Sequence, residues 1–478
     1  MKFIRVRWIL ALSILFLALA PLAAQEAAPA AKPRPAARPA VTVLTAAHVV
    51  TLDGQCRIFE PGAVVVKGDT LIEVGPAAEV LRRYPRNRPV RLGERWVLPG
   101  LVNAHTHLAM NPMRGMGDDL ELMDWLQKYI FPLEAAVVNP EYVYEATLTA
   151  CAENIRRGVT TVVDMYYFED DVARAVKEAG LRGWLGETIL DFPAPDHKTP
   201  EEALAYTERC LAKWKDDPMV RVIPAPHSLY TCSGKHVQAA KALADKYGVL
   251  MTMHLSESEG EVKTVREKYD KSPVKAAEEL GVLGPTVLAA HCVKLSDKDL
   301  DILARTNTAV AHNPDSNLKL ASGIARVPAM LEHRIRVSLG TDSSVSNNRQ
   351  DLFHAMDLAA KMHKAERNDA TVLKAFEVVR MATLGGAEAI GAADRIGSLE
   401  AGKKADLIVV DLSRPEYAPV YNVFSHLVYV AHGEAVESVM AGGKWLMRDH
   451  RLLTLPEERI RALNEKWRGI LARKLSSR

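Results

Sequence analysis

Apolar runs of strand length alternate with amphipathic helical segments through the middle of the chain, from about residue 97 to residue 342. The runs span residues 97–107, 159–166, 181–189, 221–228, 250–257, 286–293, 308–314 and 336–342. The helical segments between them include residues 141–157, 172–179, 200–215, 235–247 and 297–305. Eight strand–helix units predict an α/β fold with a (β/α)8 TIM barrel over residues 97–395. A doubly wound open sheet is the alternative, because it gives the same alternation.

Polar residues cluster at the carboxyl ends of the apolar runs, and their distribution distinguishes these two folds. A barrel brings residues from runs one, four, five, six and eight to one face, where such folds place their chemistry. An open sheet would not so readily bring those residues together. The pattern therefore favours the barrel.

The two flanks of the barrel region contain short β runs separated by turns. Because these flanks bracket the barrel, we expect residues 41–96 and 396–450 to pair into one small β-sandwich domain. Residues 451–478 are expected to form an amphipathic C-terminal helix that packs on the body or on a neighbouring subunit. Its apolar residues lie at helical spacing: Ile460, Leu463, Trp467, Ile470 and Leu471.

The N-terminus has the features of an export signal. Three basic residues precede an apolar run over residues 8–20, which is too short for a comfortable membrane span, and Ala23 and Ala24 offer a cleavage site. We expect a signal peptide over residues 1–24 and a Pro/Ala-rich linker over residues 25–40. The mature protein would then be exported, periplasmic or secreted, without stable membrane insertion. An uncleaved membrane anchor is the alternative.

Composition and charge limit the kinds of binding partner that we expect for this protein. With 48% apolar and 25% charged residues in 478, the chain is composed like an ordinary globular protein. The net charge of the chain is +2. Residues 1–40 contain six basic residues and one Glu and so contribute +5, which leaves about −3 for the remaining residues. No basic stripe follows, so we expect a small-molecule substrate and no nucleic-acid partner. The five cysteines show no paired spacing and do not predict a disulfide framework.

A His-x-His sequence ends the first apolar run, at His105 and His107. Alternate residues of a β-strand face the same side, so both imidazoles can reach one metal ion. Further imidazoles and carboxylates end other runs: His227, His254, Glu257, His291 and Asp342. A single buried His is more often a core residue than a ligand, but that explanation fits a whole set at strand ends poorly. Imidazole and carboxylate ligands suit one divalent ion, zinc or iron.

Four of these residues supply three imidazoles and one carboxylate as metal ligands: His105, His107, His254 and Asp342. This set leaves a position for water, whose pKa a divalent ion lowers from about 15.7 to about 7. Asp342 can also accept the proton of that water, and Glu257 suits proton delivery to a ring nitrogen of the substrate. His291 would steer or polarise the attacking water. The sequence therefore predicts metal-dependent hydrolysis.

The motifs around these residues resemble those of the amidohydrolase superfamily. They include Leu98-Pro-Gly-Leu-Val-Asn-Ala-His-Thr-His, Pro226-His-Ser-Leu-Tyr-Thr-Cys-Ser, His254-Leu-Ser-Glu, His291-Cys, Asn313-Pro-Asp-Ser-Asn-Leu-Lys-Leu-Ala-Ser-Gly and Gly340-Thr-Asp. The similarity covers residues 41–450 and is closest to the S-adenosylhomocysteine/5-methylthioadenosine deaminase and chlorohydrolase group. It implies the same mononuclear site, with Glu257 and His291 as the proton-handling pair. Two-metal relatives carry a lysine at the end of strand four, where this chain has His227.

The resemblance implies hydrolytic deamination of an adenine nucleoside such as adenosine, 5′-deoxyadenosine or methylthioadenosine. Metal-bound hydroxide would add to the amino-bearing ring carbon, Glu257 would protonate the adjacent nitrogen, and ammonia would leave. A hydrolase of another C–N bond, as in an amide, cyclic imide, guanine or pterin, or of a C–Cl bond, stays an alternative. A binding or metal-storage protein is a further alternative, which the water-activating residues argue against.

The segment after strand one, residues 123–134, is expected to wall the substrate pocket. By match to the deaminases, Glu134 and His227 contact the ribose hydroxyls, and Trp125 can stack on a ring. A solvated charge and simple packing are the alternative interpretations of Glu134 and Trp125. Relatives that act on S-adenosylhomocysteine hold its carboxylate with arginines near strand three, where residues 186–193 contain no Arg. This difference favours a substrate without an anionic tail.

Homo-oligomers are common among the relatives, and a homo-oligomer is compatible with this sequence.

Overall fold

The computed structural model describes residues 40–120 and 122–476, with side chains to residue 474. Its strands are β1 Val41–Ala46, β2 His48–Val50, β3 Ile58–Phe59, β4 Gly62–Lys67, β5 Thr70–Pro76, β6 Val90–Arg91, β7 Trp96–Pro99, β8 Leu101–Thr106, β9 Val159–Tyr166, β10 Arg182–Ile189, β11 Val220–Pro226, β12 Met251–Leu255, β13 Val287–His291, β14 Ala309–His312, β15 Val337–Leu339, β16 Leu407–Val410, β17 Val436–Ala441, β18 Lys444–Arg448 and β19 Arg451–Leu452. Its α-helices are α1 Ala77–Arg83, α2 Leu122–Asp124, α3 Phe131–Val137, α4 Pro140–Arg156, α5 Glu169–Ala179, α6 Pro200–Trp214, α7 Gly234–Tyr247, α8 Glu259–Tyr269, α9 Pro273–Glu279, α10 Asp297–Thr306, α11 Pro314–Lys319, α12 Val327–Glu332, α13 Leu352–Arg367, α14 Ala375–Met381, α15 Leu384–Ala389, α16 Val423–Tyr429 and α17 Glu457–Ser476. Trp125–Ile130 is a π-helical segment between α2 and α3.

Eight of the described strands form two parallel sheets, in the orders β11-β10-β9-β8 and β12-β13-β14-β15. Main-chain hydrogen bonds cross between the sheets at both edges. The His254 amide donates to the His227 carbonyl, and the Asp342 amide donates to the His105 carbonyl, both at 2.9 Å. All residues of β9 and β10 are buried, as expected for parallel strands covered by helices. The predicted α/β fold is confirmed.

The two flanks of the chain pair with each other beside the parallel sheets. β16, from the C-terminal flank, is antiparallel to β7, from the N-terminal flank, in a seven-stranded sheet of order β19-β18-β17-β16-β7-β2-β3. A four-stranded sheet of order β5-β4-β1-β6 packs against it. Side chains from both flanks share one apolar cluster, which includes Leu44, Val64, Val97, Leu407 and Val409.

Two predicted boundaries need correction, and one helix was not predicted. The chain changes sheets at Gly100 rather than at residue 97, because β7 hydrogen bonds to β16 and only β8 joins the parallel sheet. A Cβ at Gly100 would lie 2.1 Å from Thr160 Oγ1, so this crossing needs a glycine. The C-terminal helix begins at Glu457, since Arg451–Leu452 pairs with β18. The flank over residues 396–450 also contains α16, whose seven residues the short β runs did not predict.

The export prediction concerns residues that the structure does not describe. The predicted signal peptide and nearly all of the linker lie outside residues 40–120 and 122–476. Within those ranges, no helix combines the length and the apolar character needed to cross a bilayer.

Candidate metal centre and active site

The predicted metal-binding side chains lie at the carboxyl ends of the parallel strands. His105 is the penultimate residue of β8, His107 follows that strand, and His254 lies in β12. His291 ends β13, and Asp342 follows β15 in Gly340-Thr-Asp. Because parallel strands end at the same edge of a sheet, these side chains converge.

The backbone at two of these strand ends is strained. His291 has φ of 72° and Asp342 has φ of 60°, in the left-handed region that costs a non-glycine residue about 1–3 kcal/mol. Gly340 allows a close approach there, since a Cβ would lie 2.4 Å from Asn313 Oδ1. Strain of this kind is characteristic of functional sites.

Two imidazoles contact one carboxylate oxygen, and a third imidazole lies beside them. Asp342 Oδ1 lies 3.1 Å from His107 Nε2 and 3.6 Å from His105 Nε2. His254 Nε2 lies 3.4 Å from His107 Nε2, and the candidate ligand atoms of His105, His107 and His254 lie within 4.8 Å of one another. Three imidazole nitrogens and a carboxylate oxygen at this spacing can hold one zinc-like ion.

Contacts around the cluster aim the ligand atoms inward. His107 Nδ1 donates to the Met165 carbonyl at 2.6 Å, and His254 Nδ1 donates to the His227 carbonyl at 2.9 Å. These bonds leave both Nε2 atoms as acceptors toward the centre. His105 is fully buried, and neither of its ring nitrogens has a hydrogen-bond partner among the described residues. A bound cation would satisfy this otherwise costly group.

The carboxylate ligand is also held from behind. Asp342 Oδ2 accepts hydrogen bonds from Ser316 Oγ at 2.5 Å and Ser346 Oγ at 2.9 Å. Both hydroxyls therefore occupy the outer oxygen and leave Oδ1 for the imidazoles. Neither serine was predicted as a site residue, although Ser316 lies in the Asn313-Pro-Asp-Ser motif.

Two of the imidazoles are held in the neutral form. Burial, together with neighbouring imidazoles, holds the pKa of His105 and of His254 well below its ordinary value. His107 differs: burial lowers its pKa, but the hydrogen bond and charge of Asp342 raise it to about 9. A metal ion that binds here must therefore displace a proton from the His107–Asp342 pair.

Glu257 and His291 lie beside the proposed ligands and line the same cavity. Glu257 Oε1 is 3.9 Å from His291 Nδ1, and His291 Nε2 is 4.0 Å from Asp342 Oδ2. Burial raises the pKa of Glu257, which favours a carboxyl that can give up a proton. His291 Nδ1 donates to Asn317 Oδ1 at 2.8 Å, so its Nε2 faces the centre.

The predicted substrate contacts line this cavity as well. Glu134, in α3, is 3% exposed, and Trp125 and His227 are 6% and 9% exposed. Glu134 is therefore not a solvated surface charge. Burial raises its pKa to about 7, against the opposing effect of hydrogen bonds from Tyr166 and Tyr167.

Comparisons with known proteins identify the family of the chain. The model of the amidohydrolase family matches residues 96–446, and an imidazolonepropionase-like composite domain matches residues 62–86. The chain belongs to the amidohydrolase family. The resemblance predicted from the motifs is thereby confirmed.

Three similar proteins cover nearly the whole described chain. A 5-methylthioadenosine/S-adenosylhomocysteine deaminase of Syntrophobacter fumaroxidans is 47% identical over 85% of this chain and 93% of its own. A 5′-deoxyadenosine deaminase of Methanosarcina mazei is 39% identical over 87% and 95%. The crystal structure of an adenosine deaminase from Xanthomonas campestris with bound zinc is 36% identical, with a TM-score of 0.87 over 90% of this chain and 98% of that one.

Two positioning contacts of this amidohydrolase were not predicted from the sequence. Glu261 is fully buried and accepts hydrogen bonds from the Ser256 amide at 2.9 Å and the Glu257 amide at 2.6 Å. Its own amide donates to Ser258 Oγ at 3.2 Å. The Ser-x-x-Glu spacing at 258–261 is a helix-capping signal that could have identified this contact. The second contact, between Glu134 and two tyrosines, has no comparable sequence signal.

A second buried cluster lies away from the metal centre of this amidohydrolase. Ligand atoms of Glu187, Asp196 and His197 also lie within 4.8 Å of one another. Here Asp196 Oδ1 contacts His197 Nδ1 at 2.7 Å, while Asp196 Oδ2 accepts from the Phe168 amide at 3.0 Å. Burial and the charge of Asp196 raise the pKa of Glu187 well above its ordinary value. A raised pKa favours the protonated form of Glu187, which lowers the negative charge of this cluster.

Proposed function

We propose that the protein deaminates a neutral adenine nucleoside by metal-dependent hydrolysis. The observation that carries the proposal is the cluster of three imidazoles, two of which contact one oxygen of Asp342, beside a buried carboxyl–imidazole pair. The amidohydrolase family and the deaminase relatives support hydrolysis at a C–N bond. The ligand set is compatible with the zinc of the Xanthomonas adenosine deaminase, although iron also fits three histidines and one aspartate.

The proposed roles follow from where each polar atom points. His105, His107, His254 and Asp342 would hold a divalent ion, which would supply a water of lowered pKa. Asp342 would accept the proton of that water, and Ser316 and Ser346 hold its carboxylate in place. His291 Nε2 faces the same space and steers the attacking water.

Glu257 and its backbone support complete the proton transfers. The buried Glu257 carboxyl donates its proton to the ring nitrogen next to the amino-bearing carbon. Glu261 fixes the Glu257 amide, so that this carboxyl stays at the edge of the cavity. The amino group would leave as ammonia with the proton that Asp342 accepted, and the hydroxyl proton would return to Glu257, so that the nucleoside carries a carbonyl oxygen in place of the amino group.

Recognition of the sugar is assigned to the wall opposite the proton-transfer pair. Glu134 can accept hydrogen bonds from two vicinal ribose hydroxyls. His227 Nδ1 lies 3.2 Å from Ser228 Oγ and 3.1 Å from Thr231 Oγ1, which leaves Nε2 for the substrate. Trp125 offers its ring to the flat base.

The cavity wall supports a substrate with a neutral 5′ group. Much of the lining is apolar: Met110, Leu122, Leu126, Ile130, Phe131 and Leu320. Among the described lining residues there is no lysine or arginine that could pair with a carboxylate. Adenosine, 5′-deoxyadenosine and methylthioadenosine therefore fit the wall better than S-adenosylhomocysteine does.

Architecture and location complete the proposal. We infer that the two parallel sheets close into a (β/α)8 barrel through the hydrogen bonds at both edges. The basic and apolar N-terminal residues support export by a signal peptide over residues 1–24, followed by action outside the cytoplasm. A homo-oligomer is compatible with the exposed face of α17.

The decisive experiment measures ammonia release from purified, metal-analysed protein. The panel contains adenosine, 5′-deoxyadenosine, methylthioadenosine, S-adenosylhomocysteine, guanine and a pterin. We expect turnover of the neutral adenine nucleosides and loss of it after removal of the metal with a chelator. Full turnover without metal, or silence on every adenine nucleoside, would contradict the proposal, and silence would favour hydrolysis of another C–N or a C–Cl bond.

A further inference from the structure

We propose that Tyr166 and Tyr167 are positioning residues that fix the Glu134 carboxylate to receive two vicinal ribose hydroxyls. The inference rests on the proposed function, because Glu134 contacts a ribose only if the ligand is a riboside. Neither tyrosine has been given a role in the reaction above.

Each oxygen of Glu134 contacts one phenol. Tyr166 Oη donates to Oε1 at 2.8 Å, and Tyr167 Oη lies 3.4 Å from Oε2. All three side chains are at most 4% exposed and line the candidate active-site cavity. A carboxylate oxygen has about two acceptor sites, so each oxygen keeps one. Two spare acceptors on adjacent oxygens match the two adjacent hydroxyl donors of a ribose.

The path of the backbone explains how two consecutive tyrosines reach one carboxylate. Successive side chains of a β-strand point to opposite faces. Here β9 ends at Tyr166, and the chain turns at Phe168, which has φ of 55° in the left-handed region. The turn redirects Tyr167, so that the two rings lie 5.0 Å apart at 52°. The shared contact with Glu134 is therefore built by the turn and not by the strand.

Three buried carboxyl groups hold this turn in place. Glu169 Oε1 accepts from the Tyr166 amide, Asp196 Oδ2 from the Phe168 amide and Glu187 Oε2 from the Glu169 amide, each at 3.0 Å. A buried carboxyl oxygen that accepts a backbone amide satisfies both groups, and the bond is strongest where the acceptor is ionised. These three carboxyl groups therefore fix the backbone that carries both tyrosines and have a positioning role.

The test compares binding of inosine and 2′,3′-dideoxyinosine to the zinc-loaded full-length protein by calorimetry. These ligands carry the oxygen that deamination would leave, so they bind without being deaminated. In Tyr166→Phe we expect the preference for inosine to fall about tenfold, or about 1.4 kcal/mol at 25 °C. Tyr167→Phe should lose less, because its contact is longer. Binding of the dideoxy compound should be unchanged in both variants.

Tyr142→Phe is the matched control. Tyr142 is fully buried, and its Oη has no hydrogen-bond partner among the described residues. Its loss should leave the preference unchanged. For adenosine as substrate, Tyr166→Phe should raise KM about tenfold while kcat changes by less than about twofold.

Three results would overturn the inference. They are a wild-type protein without preference for inosine, an unchanged preference in Tyr166→Phe, and an equal loss of affinity for both ligands, which would indicate a packing role. Failure of the proposed function gives a different result. A protein that prefers inosine through Tyr166, yet releases no ammonia from any adenine nucleoside, would contradict deamination and support the positioning role.

Discussion

The protein contains two buried clusters of imidazole and carboxyl groups, and they differ in what their carboxyl oxygens contact. At the strand ends, Asp342 Oδ1 faces the imidazoles, and His105 has no protein partner on either nitrogen within the described residues. In the second cluster, Glu187 and Asp196 accept backbone N–H groups, and burial raises the pKa of Glu187 well above its ordinary value. Both clusters bring ligand atoms within 4.8 Å of one another. The same residue types at similar spacing therefore have different contacts: in one cluster a carboxylate oxygen faces imidazoles, and in the other the carboxyl groups hold backbone amides.

The largest effect should follow from Asp342→Asn. The amide cannot replace the carboxylate as an anionic ligand or accept the proton of the attacking water. We expect metal content to fall well below one ion per chain and kcat to fall by roughly 10⁴-fold or more, measured by elemental analysis and ammonia release. The same change in the other cluster, Asp196→Asn, is the control and should keep the metal. If the wild-type protein bound a second equivalent of metal and the Asp196→Asn variant lost it, the second cluster would be a metal site and the comparison would fail.

Glu257→Gln should separate proton transfer from metal binding. Glutamine keeps the shape of the side chain but has no acidic proton to give to the ring nitrogen. We expect kcat to fall roughly 10²–10⁴-fold while the metal content stays at that of the wild type. Loss of the metal in this variant would instead place Glu257 among the ligands.

A substitution in the second cluster should lower the stability of the protein. In Asp196→Asn the backbone and imidazole partners of the carboxylate lose a charged acceptor, so the free energy of unfolding should fall by about 1–3 kcal/mol. Denaturant unfolding of the metal-loaded protein measures this change. An unaltered unfolding free energy would show that the cluster does not hold the turn after β9.

Glu134 combines features of both clusters. Each of its oxygens contacts a protein group, a phenol, and keeps one acceptor site for a ligand. Its pKa of about 7 means that the ionised form, which accepts two hydroxyls, increases as the pH rises through 7. From pH 6 to pH 8 we expect KM for adenosine to fall by roughly tenfold.

A substrate without the two sugar hydroxyls, dideoxyadenosine, serves as the control for this pH dependence. Its binding should not follow the ionisation of Glu134, because it has no hydroxyl pair to donate to the carboxylate. In Glu134→Gln the two substrates should show the same pH dependence, and a persisting difference would assign the sugar contact to another group.

The sequence predicted most of the parallel sheets because their pattern is local. Polar residues lie at or near the ends of most apolar runs, and the observed strands overlap the predicted runs. The break at Gly100 was missed, since 97–107 is one continuous apolar run and only the pairing of β7 with β16 divides it. The helix α16 was missed because it lies between strands in a flank dominated by β patterns.

By itself, the sequence determined the strand–helix order, the strand-end histidines and the membership of a hydrolase family. These depend on spacing along the chain, which the residues carry directly. Tertiary structure alone decided which ring nitrogens face the centre, that the carboxylates of Glu187 and Asp196 hold backbone amides, and that Tyr166 and Tyr167 meet at Glu134. Those contacts join segments distant in sequence, and their energies depend on burial and on competing hydrogen bonds. No linear pattern of residue types encodes that competition.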